Sequence, residues 1–186
     1  ETMIIGKGYI ERGLNNAAFN SPVNFTSTFT GVPNNGNITT PISRGTYSGV
    51  NYATGVSTTP ATDDDDNWNL LGNPYPSAIS AADFLNANST NLDGFVKVWT
   101  HGIAPNTTAP DPFYNNYGYN YDSNDYITWN LSGPSTPGFS GYIGAGQGFI
   151  TKMKHTSPTA SSNAVFNNSM RNASHKNNEF FKSTSA

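Results

Sequence analysis

Residues that favour strands come in this chain in runs of about four to eight, and the runs are stopped by glycine, proline, asparagine or serine. A helix of ordinary size needs about ten or more residues without such a stop, so the punctuation commits most of the chain to short strands joined by turns. The strand candidates are residues 3–5, 8–12, 24–30, 37–42, 68–71, 95–100, 126–131, 141–143, 148–153 and 164–167. In "FTSTFT", Phe25, Ser27 and Phe29 fall on one face and the threonines on the other, the alternation of a half-buried strand. Asn35 and Gly36 in "VPNNGNI" take positive φ readily and predict a hairpin whose strands are antiparallel neighbours. One stretch reads as a helix. In "SAADFLNAN", Ser80 and Asp83 make a capping-box-like pair, and Phe84 and Leu85 supply an apolar face. The expected fold is all-β: an antiparallel β-sandwich, jelly-roll-like, with one short helix near residues 80–88.

The stretch "WNLLGNPYPSAI", residues 68–79, shows how such a chain turns. Trp68 and Leu70 point to one face of a strand and Leu71 to the other, and Gly72 and Asn73 release the chain from the ladder. Pro74 and Pro76 have no N–H to donate, so the stretch reads as a corner leading into the helix. An aromatic residue before proline raises the share of the cis isomer, which makes the bond between Tyr75 and Pro76 a candidate cis bond. A weaker pattern is an internal echo: "GKGYIER" from Gly6 and "GQGFITK" from Gly146 share glycine spacing, aromatic, isoleucine and terminal cation. It predicts two similar hairpins in related positions of the sandwich, with glycines where backbones approach closely. A phosphate-cradling loop lacks here both the following helix and the Lys-Ser/Thr pair.

Composition narrows the function classes. At 186 residues and 35% hydrophobic content the chain suits a single module over residues 1–186. Charged residues make up only 11%, giving a polar but weakly charged surface of the kind common outside cells. A net charge of -3 with nine Lys and Arg supplies no basic field for nucleic acid. No apolar run approaches the roughly 18 residues of a transmembrane helix. The absence of cysteine excludes disulfides, thiolate catalysis and Cys-ligated zinc, so stability outside a cell must come from packing or from a metal.

Candidate chemistry is sparse. Asp63, Asp64, Asp65 and Asp66 are consecutive carboxylates that repel one another; Ca²⁺, which takes six to eight oxygens, is a possible cofactor there, with Asp122 and Asp125 of "YDSNDY" as a second oxygen-rich set. Neither has the spacing of an EF-hand loop, and a solvated loop is the plainer reading of the first. Residues 111–126, "DPFYNNYGYNYDSNDY", hold Tyr114, Tyr117, Tyr119, Tyr121 and Tyr126 among amides and carboxylates. Aromatic faces beside such groups suit surface glycans, the ring stacking on the C–H face of a sugar and the polar groups taking its hydroxyls. The plainer reading is that the same tyrosines fold inward as core and send their hydroxyls to water. His101, His155 and His175 show no hydrolase spacing, and Asp83, Asp93 and Glu11 are carboxylates of the sort any acidic protein offers.

The ordered motifs "GKGYIER", "FTGVPNNGNIT", "NWNLLGNPYPSAISAADFL", "FVKVWTHG", "YITWN", "IGAGQGFITKM", "AVFNNSMRN" and "EFFK" resemble, along almost the whole length, a module of large secreted and cell-surface proteins of Bacteroidota, flavobacteria especially. In that family the module commonly lies upstream of the C-terminal sorting domain of adhesin-like chains exported by the type IX secretion system. The resemblance implies a secreted or cell-surface location, a longer multidomain protein of which this is one part, and as partners the neighbouring domains and the secretion machinery during export. It implies a structural or adhesive module without catalytic activity. The residues themselves leave carbohydrate binding through the tyrosine-rich stretch, with calcium ordering the loops, and a hydrolase as further readings.

Overall fold

The computed structural model describes residues 2–10, 28, 30–45, 66–99, 126–135 and 139–175. Along them run β1 (Ile38–Ser43), β2 (Trp68–Gly72), β3 (Ile79–Ser80), α1 (Ala81–Ala87), β4 (Phe95–Trp99), β5 (Tyr126–Asn130), β6 (Gly133–Pro134), β7 (Tyr142–Ile143), β8 (Gly148–Lys152) and β9 (Ser161–Phe166), then a 3-10 turn at Asn168–Met170. Five strands form one antiparallel sheet in the order β2-β8-β4-β5-β6, β1 pairs with β9, and β3 pairs with β7. The chain is an all-β, sandwich-like fold with one short helix.

Period-2 alternation decides what each strand buries. Leu71, Val96, Val98, Ile127 and Phe149 of the large sheet point inward with Ile42, Ala164 and Phe166 of the β1-β9 pair. Helix α1 fills the space between them. Ser80 caps it, its hydroxyl accepting from the Asp83 N–H at 3.1 Å as the sequence predicts. Phe84 lies 5.2 Å from Phe149 of β8 and 5.0 Å from Phe166 of β9, ring centre to ring centre, so one helical side chain joins both sheets.

Where the ladders stop, buried asparagines continue them. The Asn69 amide accepts from the Ser43 N–H at 3.0 Å and donates to the Ser43 carbonyl at 2.8 Å, linking β2 to β1. Asn88, just past α1, treats Val165 of β9 the same way, accepting at 2.7 Å and donating at 2.9 Å. Each amide serves both backbone groups of one residue, as a paired strand would, and leaves neither orphaned in the interior.

Four sequence expectations differ from the structure. Residues 3–5 and 8–10 form no strand: Ile4 to Lys7 closes a turn (Lys7 N–H to Ile4 carbonyl, 3.1 Å) through Gly6 at φ 77°, and only Lys7 bridges to Leu71. The Asn35-Gly36 turn does place Gly36 at φ 79°, but residues 30–35 are not a strand and β1 takes β9 as its partner. That turn is held instead by distant groups, the Asn168 side chain accepting from the Gly36 N–H and the Tyr75 hydroxyl donating to the Gly36 carbonyl. No cis peptide bond occurs among the described residues, so Tyr75 to Pro76 is trans. The internal echo corresponds to two segments on opposite edges of β2 rather than to two hairpins. Gly6 and Gly8 bond to Gly72 and Leu70 on one edge, while Gly148 and Phe149 pair with Gly72 and Leu71 on the other. A side chain at Gly8 would meet the Leu71 carbonyl oxygen at 2.7 Å, which is why the edge contact requires glycine. The strand expected at 24–30 lies outside the described residues apart from residues 28 and 30, which are not strand.

Tyr75 is buried at the corner, its hydroxyl 2.6 Å from the Gly36 carbonyl and its ring 4.7 Å from the Arg171 guanidinium carbon. Burial pushes its phenol above the ordinary value of 10.0, and Arg171 opposes this only in part. A folded-state value raised above the unfolded one contributes stability below pH about 10 that is lost as pH rises through the folded value. Tyr75→Phe is therefore expected to cost about 1 kcal/mol near neutral pH, from the lost hydrogen bond, and to lose less further stability than the parent above pH about 10. Urea titrations at pH 7 and in the alkaline range check both halves.

Candidate functional site

The motifs that distinguish this sequence meet at one place. Asn73 of the Gly-Asn-Pro-Tyr-Pro corner donates from its amide nitrogen to the carbonyls of Ser77, Ile143 and Gly144 at 2.8, 3.0 and 2.9 Å and accepts from the Tyr75 N–H at 3.0 Å. Its backbone N–H and carbonyl bond to Gln147 and Gly146 of the Gly-Ala-Gly-Gln-Gly segment. Arg171 donates to the Ser77 hydroxyl at 2.7 Å and to Asn35 at 3.1 Å. The corner is thus a clamp between four distant segments. The hydrogen bonds named here run between the segments of the corner itself.

The opposite face of the large sheet is different. Its outward positions are Trp68, Leu70 and Gly72 on β2, Gly148, Ile150 and Lys152 on β8, Phe95, Lys97 and Trp99 on β4, and Tyr126, Thr128 and Asn130 on β5. The register puts Trp68, Lys152, Phe95 and Asn130 in one cross-strand row, Leu70, Ile150, Lys97 and Thr128 in the next, and Gly72, Gly148, Trp99 and Tyr126 in the third. Trp68 and Phe95 stand two strands apart, about 10 Å at their backbones. Their ring centres are only 5.8 Å apart, so the rings lean together across β8. Lys97 Nζ lies 5.1 Å and Lys152 Nζ 5.6 Å from the centre of the Trp68 ring. At the other end Trp99 and Tyr126 lie 6.2 Å apart at 30°. Beside that pair the β2 and β8 positions are glycines, Gly72 with the Lys7 carbonyl against it and Gly148 exposed. Trp68 is 44% and Trp99 36% exposed, unusual for side chains of this size.

This surface can stack on apolar faces; among the described residues it places no nucleophile beside a base. Of the residues singled out in the sequence, Tyr126 stands on it. Tyr114, Tyr117, Tyr119, Tyr121, Asp122, Asp125, Asp63, Asp64 and Asp65 lie outside the described residues. Asp66 is described and half-buried, its backbone carbonyl accepting from the Gly45 N–H at 3.2 Å. Among the described residues no group of three or more His, Cys, Asp or Glu side chains is placed to hold a metal ion. His175 stacks on Tyr142 at 4.5 Å between ring centres. Among the described residues no helix is long and apolar enough to cross a membrane.

The family model of a domain of unknown function, DUF8693, matches residues 1–186. The chain belongs to that family. Comparison with curated proteins and with solved structures returns no match. For this DUF8693 chain the candidate site therefore rests on its own residues. Sequence reasoning missed Trp68, Phe95, Lys97, Trp99 and Lys152. The signal was present in "FVKVW", where Lys97 shares a face with Phe95 and Trp99 while Val96 and Val98 take the other.

Proposed function

We propose that this chain is a non-catalytic adhesive module of a secreted or cell-surface protein, and that it holds carbohydrate on the outer face of its five-stranded sheet. The observation that carries the reading is the exposure of Trp68 and Trp99 on one sheet face, with Phe95 and Tyr126 on strands of the same surface. Isolated exposed apolar residues are ordinary, whereas a contiguous aromatic surface on a rigid sheet marks a contact site. The rings stand in two rows of one sheet face, where they can lie on the C–H faces of sugars. Trp99 closes β4 and Tyr126 opens the neighbouring β5, so the two described residues that flank residues 100–125 in sequence both stand on this surface. Export by the type IX route, a bacterial surface of the Bacteroidota kind and neighbouring domains in a longer chain belong to the same proposal, supported by the order of sequence motifs.

The test is binding to immobilised polysaccharides and to a glycan array. Trp68→Ala and Trp99→Ala are each expected to weaken binding about tenfold, the equivalent of about 1.4 kcal/mol. Their melting temperatures should remain within a few degrees of the parent because neither ring is in the core. A parent chain that binds no glycan, or tryptophan variants that bind as it does, would overturn the proposal.

A further inference from the structure

Asn35 and Gly36 are the single Asn-Gly pair of the sequence. That dipeptide carries a reaction of its own, because glycine has no Cβ to keep its nitrogen away from the asparagine side chain. The Gly36 nitrogen attacks Asn35 Cγ. A bond forms between them, the bond from Cγ to Nδ2 breaks, and the proton of the attacking nitrogen leaves with the amide as ammonia. Water then opens the five-membered imide at one of its two carbonyls and leaves aspartate or isoaspartate. The reaction needs water alone, and Asn35 is exposed to it.

The fold holds the atoms that this reaction must move. The Gly36 N–H donates to Asn168 Oδ1 at 3.2 Å, and the Gly36 carbonyl accepts from the Tyr75 hydroxyl at 2.6 Å. Asn35 Oδ1 accepts from Arg171 at 3.1 Å. Arg171 is fixed in turn, donating to the Ser77 hydroxyl at 2.7 Å and to Asn168 Oδ1 at 3.0 Å with its guanidinium over the Tyr75 ring. Asn168 and Arg171 lie more than 130 residues along the chain from the pair they hold, so only the folded chain supplies the restraint. We infer that Asn35 is a deamidation site held closed by the fold: ring closure requires the Gly36 nitrogen to leave Asn168 and the Asn35 side chain to swing from Arg171, so it proceeds when this corner opens. The product then marks the opening. Isoaspartate carries one extra backbone atom between Asn35 Cα and the Gly36 nitrogen, so Gly36 no longer meets Asn168 and Tyr75 together and the corner cannot close as before. Aspartate keeps the backbone length and sets a carboxylate beside Arg171.

The experiment incubates the whole chain at mildly alkaline pH, in buffer and in denaturing guanidinium chloride, and follows conversion of the Asn35 amide to acid by mass-spectrometric peptide mapping. Conversion in the native chain is expected to be at least about tenfold slower than in the denatured one, since it proceeds only from the open fraction. Asn168→Ala removes the acceptor of the Gly36 N–H. Its native rate should rise about fivefold above the parent's, the effect of one lost hydrogen bond, while its rate in guanidinium chloride equals the parent's and its melting temperature stays within a few degrees. Phe84→Leu weakens the core without removing a group that bonds to this turn, and its native rate should stay near the parent's. Equal rates in the native and denatured parent overturn the inference. So does a native rate for Asn168→Ala no faster than the parent's. An acceleration by Phe84→Leu as large as that by Asn168→Ala overturns it too, because protection would then come from global stability and not from the contacts of Asn168, Arg171 and Tyr75.

Discussion

Replacing Phe84 with alanine is expected to remove about 3–5 kcal/mol of unfolding free energy, a large part of the stability of a domain this size. The reason is positional. Helix α1 has seven residues, Ala81–Ala87, far fewer than an isolated helix needs in water, so it exists because its buried face is held. Phe84 is that face: it is fully buried, and its ring touches Phe149 on the five-stranded sheet and Phe166 on the β1-β9 pair. Removing it opens a cavity where two sheets and the helix meet, and none of the three can close it without moving the others. Phe84→Leu keeps most of the volume and should cost about 1–2 kcal/mol. Guanidinium titrations of parent and both variants measure the order. A loss below about 1 kcal/mol for the alanine variant would show that the two sheets do not depend on this ring.

The sequence carried the strands of the central sheet because their signal is local. "WNLLG", "FVKVW", "YITWN" and "GFITK" are each long enough for alternation to show, and each begins within a residue of the expected place. Strands β3 and β6 have two residues apiece, too few for any period, and they exist because Ile79 and Trp129 find partners distant in the chain or across a turn. The opposite error arose at Met3, Ile4 and Ile5, apolar and β-branched in part but largely exposed, because a strand also needs a free edge and Gly6 turns the chain before one is reached. The site was harder still. Trp68, Phe95 and Trp99 read as core by residue type, and only the burial of Asn69, Val96 and Val98 on the other face shows that the large rings point out and a polar amide points in. An interior asparagine is invisible to hydrophobic patterning, since its value lies in backbone groups it meets after folding.

Asn73→Asp tests that last point with the smallest possible change of shape, and is expected to cost at least about 3 kcal/mol at pH 7. The amide nitrogen of Asn73 donates to three carbonyl oxygens from the corner and from the segment joining β7 to β8, at a position 3% exposed. A carboxylate there loses both donor hydrogens and faces three oxygens with a negative charge, so buried acceptors are left unsatisfied and the new charge is desolvated among like dipoles. The accepting contact with the Tyr75 N–H survives, which limits the loss without repairing it. The charge gives the variant a pH dependence that the parent lacks at this position. Toward pH 4 the introduced carboxyl is increasingly neutral and regains one donor, so the deficit relative to the parent should shrink as pH falls. Asn73→Ala removes the donors without adding charge, and its deficit should be smaller at pH 7 and flat with pH. Paired denaturant titrations at pH 4 and pH 7 separate the outcomes. An aspartate variant as stable as the parent at pH 7 would mean that the clamp of the four motif segments does not depend on this amide, and that the Gly-Asn-Pro-Tyr-Pro corner owes its shape to its prolines and the buried Tyr75 ring instead.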